Sequence, residues 1–186
     1  VRLRTGLPRK ALLSVHVVVS VGWLGVHAGV LTLVAAGLAA DAPQRAGALY
    51  GSAATLGWLL VPVLSLTALA SGLVCALGTP WGLFRHYWVT AKLALTAVLV
   101  VGSNLRLMPA TADLAEATRG GTVLPAYADR LSHVVALSVA LSVLVAVTLL
   151  STVKPFGRIR SRQGTRPAGA TRRPGTFMRA SANASR

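Results

Sequence analysis

The chain has 186 residues, 54% of them hydrophobic and only 12% charged, with a mean hydropathy of +0.64. That composition excludes an ordinary soluble domain and points to a protein embedded in lipid. Its net charge of +15 is sorted by position, with all four acids (Asp41, Asp113, Glu116, Asp129) in two short connecting segments and the bases crowding the termini. One cysteine, Cys75, excludes an intrachain disulfide, a thiolate zinc centre and a CxxCH haem attachment.

Arg2, Arg4, Arg9 and Lys10 lead into the first apolar run, residues 11–39. A basic start and the small pair Ala39-Ala40 imitate a secretory signal, but the run is about twice as long as a signal's apolar region, so the segment is expected to be retained. Further windows long enough to cross about 30 Å of hydrocarbon cover residues 55–77, 86–107 and 131–153. The second has no ionisable group apart from its cysteine. Its Ser65, Ala68, Ser71, Gly72 and Cys75 read as a close-packing face, and Pro62 as a kink.

The third span starts at Arg85, His86, Tyr87 and Trp88, a basic and aromatic boundary of the kind found at membrane interfaces, and carries Lys92 further in. Between the third and fourth spans, Pro109, the early acids, Arg119 and the pair Gly120-Gly121 predict a short surface helix. Beyond the fourth span, nine basic residues from Lys154 to Arg186 lie among Pro, Gly and Ser without apolar periodicity. That tail, residues 156–186, is expected to be disordered and to sit near anionic lipid; nucleic acid is not its expected partner.

The expected architecture is therefore all-α: a transmembrane four-helix bundle over residues 1–155 with a basic tail. Lysine and arginine gather at the ends of the chain and at Arg85, which places both termini in the cytoplasm. Heavy use of Ala, Gly, Arg, Leu and Val, a lone isoleucine (Ile159) and valine at position 1 fit a GC-rich bacterial genome, hence a bacterial inner membrane.

Ionisable groups inside a span are costly and mark candidate sites. Here these are His16, His27, His86, His133 and Lys92. His16 and His27 are 11 residues apart, within about 20° of one face and about 16 Å along the axis. Depth pairs His16 with His86 and His27 with His133, as two stacked bis-histidine sites of the kind that hold b-type haem. The competing readings leave His86 and His133 facing water or headgroups and let Lys92 snorkel to the interface; facing inward, Lys92 would meet a haem propionate or bind iron. No nucleophile–base pair, intramembrane carboxylate pair or phosphate loop supports hydrolytic or NTP-driven chemistry, and enzymatic activity is not expected.

Two stretches, "HVVVSVGWLG" from His16 and "LGTPWGLFRHYWVTAKLALT" up to Lys92 and beyond, resemble the bacterial copper-resistance D superfamily and its haem-binding HemJ-type relatives. "VKPFGRIR" resembles the ending of actinobacterial four-helix membrane proteins of unknown function. The resemblance implies a four-helix inner-membrane bundle with an axial histidine at His16 and a functional lysine at Lys92. Three functions follow as expectations. One is haem b binding for electron transfer with a membrane redox partner; another is copper or other metal-ion handling through His16 and His27; the third is a non-catalytic scaffold.

Overall fold

The computed structural model describes residues 7–78 and 87–152, so Arg85, His86, the TPWG turn, the first six residues and the basic tail lie outside the described residues. Five α-helices carry the fold: α1 (Leu7–Leu38), α2 (Pro43–Gly78), α3 (Tyr87–Gly102), α4 (Met108–Ala117) and α5 (Tyr127–Thr152). A π-helical turn, Ser103–Leu107, joins α3 to α4 without a break. The result is four helices long and apolar enough to cross a membrane, Lys10–Leu38, Pro43–Leu77, Thr90–Ala117 and Tyr127–Ser151. Both α1 and α3 pack on α2 and α5, so α1 and α3 face each other diagonally across an up-down-up-down bundle. We call the end with the α1–α2 and α4–α5 connections distal, and the opposite end basal.

Two elements differ from the reading of the sequence. The second helix begins 12 residues earlier than the apolar window at Thr55, with Pro43 at its first position, where a missing N–H costs nothing. Hydropathy missed these turns because their outer face is Gln44, Arg45, Ala48, Ser52 and Thr55. Large apolar side chains are exposed on α2 only from Trp58 to Leu77, a belt of about 28 Å. That matches the hydrocarbon thickness and leaves the distal four turns beyond it.

The other difference is α4. It is helical, as Pro109 and Gly121 suggested, but it is not a separate surface helix: it continues α3, and Met108, Thr111 and Leu114 are buried on its inner face. Pro109 has no N–H and its ring clashes with the carbonyl four residues back. The π turn absorbs that conflict, with the Met108 amide bonding the Ser103 carbonyl. Asn104 Nδ2 then donates to the Val100 carbonyl at 2.8 Å and to Ser65 Oγ of α2 at 3.0 Å, keeping polar atoms of this turn satisfied. After α4, Gly121 takes a positive φ of 64°, open to glycine, and turns the chain toward α5.

Because the third helix runs to Ala117, Asp113 and Glu116 belong to it. Both side chains are exposed at its distal end, and Glu116 pairs with Arg119 at 2.7 Å. Arg130, in the first turn of α5, is 7% exposed and reaches the Leu38 carbonyl through Nη1 at 3.4 Å, with its guanidinium 5.9 Å from the Tyr127 ring. It caps the C-terminus of α1, where a cation meets the negative end of the helix dipole. We expect Arg130→Met to lower the stability of the purified protein by about 1–3 kcal/mol; thermal unfolding in detergent is the measurement, and an unchanged midpoint would remove the capping role.

Candidate functional site

At the basal end, polar side chains from all four spans converge. His16 of α1 stands against α2, where its Nδ1 meets Ser71 Oγ at 2.9 Å. The Ser71 hydroxyl is a donor to the Thr67 carbonyl at 2.6 Å and lies 3.2 Å from the Ala68 carbonyl, so toward the imidazole it accepts. Nδ1 therefore carries the ring proton, and Nε2 is left as a bare lone pair. Gly72 gives the ring room: a Cβ there would lie 3.0 Å from His16 Cε1. Sequence reasoning saw Ser71 and Gly72 as packing residues only; their adjacency to each other, one position apart in an apolar helix, was the available signal.

Lys92 of α3 turns into this space. It donates to Ser151 Oγ on α5 and lies within electrostatic range of His16 and Cys75. Thr96 bonds the Lys92 carbonyl at 2.8 Å and continues the same side of the helix. The acids of the chain are all at the distal end, so no carboxylate among the described residues balances the Lys92 ammonium. The vestibule is thus half-buried, cationic, and furnished with one oriented imidazole nitrogen. That donor set suits a ligand with a metal centre and an anionic arm.

The distal cluster is different in kind. His27 is 0% exposed and lies beside the turn of α5 that bears His133 and Leu137, close enough for the two imidazoles to interact electrostatically. The structure thus brings His27 and His133 together, as their depth suggested. His133 Nε2 meets Thr111 Oγ1 at 2.9 Å, and that hydroxyl donates to the Leu107 carbonyl at 2.8 Å. By the same bookkeeping, His133 is protonated on Nε2 and its lone pair is on Nδ1. Neither nitrogen of His27 has a hydrogen-bond partner; the ring approaches the Leu137 backbone without reaching bonding geometry. Trp23 Nε1, one turn away on α1, and Ser103 Oγ at the π turn are buried and unpartnered as well.

His16 and His27 do not meet. They lie about 16 Å apart along α1 and address different neighbours, α2 and α5 respectively, so no single ion is held by both. Among the described residues no three His, Cys, Asp or Glu side chains gather as a metal-holding group. An open apolar groove between α3 and α5, lined by Leu95, Val135, Ser138, Val139, Ser142 and Val143 among others, contains no histidine.

An unpartnered buried imidazole costs about 1–3 kcal/mol. His27→Leu, which removes both orphan nitrogens at similar volume, is accordingly expected to raise stability by about that amount. Chemical or thermal unfolding of the detergent-solubilised protein reads this directly; destabilisation would mean that His27 is partnered after all.

Comparison of the chain with protein-family models, with curated proteins and with solved structures finds no match. The site's chemistry, not kinship, has to carry the functional argument.

Proposed function

We propose that this protein is a bacterial inner-membrane haem-binding protein that holds a b-type haem in its basal vestibule. The supporting observation is the His16–Ser71–Thr67 relay, which fixes one tautomer and turns Nε2 out as a ligand nitrogen. Ligating histidines characteristically donate their other ring N–H in this way. Lys92 supplies the cation that a propionate requires inside a low-dielectric site. When bound, haem supplies one-electron exchange at its iron, tuned by the axial ligand and by the polarity around it.

The protein's own residues do the rest. Ser71 and Gly72 hold the imidazole in place, Ser151 and Lys92 tie α3 to α5 at the mouth, and Trp23, 2% exposed, lies two turns further into the bundle. The basal end takes the cytoplasmic side in this reading, because Arg2, Arg4, Arg9, Lys10 and the basic tail flank it in sequence. Anionic lipids would gather around those charges, and the electron partner would approach from the same side.

Titration of hemin into the purified full-length protein tests the proposal. Saturable binding with a shifted Soret band is expected, and Ser71→Ala should weaken it about 10–100-fold, the usual cost of losing a ligand's supporting hydrogen bond. If wild type and His16→Ala bind hemin alike, or neither binds, the histidine serves helix packing and the protein is a scaffold.

A further inference from the structure

The two histidine clusters differ in which ring nitrogen they offer and in how much space adjoins it. At the basal end His16 presents Nε2, the nitrogen remote from Cβ, on a half-buried ring. A macrocycle bound there stands clear of the α1 backbone. At the distal end His133 has Nε2 engaged by Thr111 and offers only Nδ1, the nitrogen next to Cβ. A metal on Nδ1 would press its macrocycle against α5 itself.

Space points the same way. Ligands of this size occupy pockets of about 300–1,000 Å³. His27 is 0% exposed with both nitrogens enclosed, so not even a water-sized space adjoins its ring. Val30, Val34 and Leu137 are likewise 0% exposed, and Met108 is 1% exposed. Admitting a porphyrin would require separating α1 from α5 along the distal core. Proximity of two histidines is therefore not enough for a site here.

We infer that the protein holds a single haem, at the basal end, and that His27 and His133 form a closed packing contact that takes none. This inference rests on the proposed function and sharpens it. One haem near one surface does not bridge about 30 Å of hydrocarbon, so electrons enter and leave through the basal face. Stacked sites, one per leaflet, would instead make the protein a conduit across the membrane.

The test is the haem-to-protein ratio of full-length protein purified after expression with added haem precursor, read by pyridine haemochrome absorbance against quantitative amino-acid analysis. A ratio near one is expected for wild type, for His27→Leu and for His133→Leu, and a ratio near zero for His16→Ala. A wild-type ratio near two overturns the inference while leaving the proposed function standing. So does a ratio of one that falls to zero in His27→Leu protein whose helicity and elution volume match wild type. A wild-type ratio of zero overturns the proposed function and the inference with it.

Discussion

Met108→Ala is expected to destabilise the protein by about 2–5 kcal/mol, the cost of deleting a large side chain from a filled core. Met108 is 1% exposed and its sulfur sits directly on Gly57 of α2, where any side chain would collide with it and where Val30 of α1 closes the contact. It is also the first residue after the π turn, so it fixes how far α4 is rotated relative to α3. Loss of that knob frees α4 to rotate and carries Thr111 away from His133. Inside a bundle surrounded by lipid such van der Waals packing is a main source of association energy. Met108→Leu, nearly volume-conserving, should cost less than about 1.5 kcal/mol. Unfolding in mixed micelles measures both; equal stability for Met108→Ala and wild type would show that the distal core is not packed around this residue.

His16→Ala is expected to have the largest functional effect, a loss of hemin affinity greater than the 10–100-fold assigned to its supporting serine. Its effect on stability should be small, about 1 kcal/mol, because the ring is half-buried and only one neutral hydrogen bond is lost. This separation of function from stability distinguishes a ligand from a packing residue. Gly72→Val should approach the same phenotype by a different route: a side chain at position 72 meets the imidazole at 3.0 Å from the Cβ alone and displaces it from Ser71.

Much of the fold was legible because the spans are written in composition. Four apolar runs, a charge asymmetry and two terminating glycines give the number of helices and the order in which they cross. What hydropathy could not see was helix continued through polar surface. The first turns of α2 carry Gln44, Arg45 and Ser52 outward, and they look like loop to any apolar window. Pro109 was read as the start of an independent helix because a proline is tolerated there; the same residue is tolerated inside a span when a π turn precedes it.

The site was legible in part. Helical periodicity and depth paired His27 with His133, since both follow from sequence position once the spans are known. Periodicity could not say which nitrogen each ring would offer, because that depends on Ser71 and Thr111, hydroxyls contributed by other helices. Nor could it give the inward turn of Lys92, whose stem is long enough to reach either the headgroups or Ser151. Arg130 had been counted only as a charge on the far side; its capping of α1 depends on a contact 92 residues away in sequence.

The most direct measurement is a reduced-minus-oxidised optical spectrum of full-length protein purified from cells with ample haem, recorded beside His16→Ala at equal concentration of folded protein. A narrow α band and a sharp Soret difference in the wild type, absent from His16→Ala and retained in His27→Leu, are the predicted result. A featureless wild-type spectrum, or a band that survives His16→Ala, would contradict the assignment of the basal vestibule as a haem site.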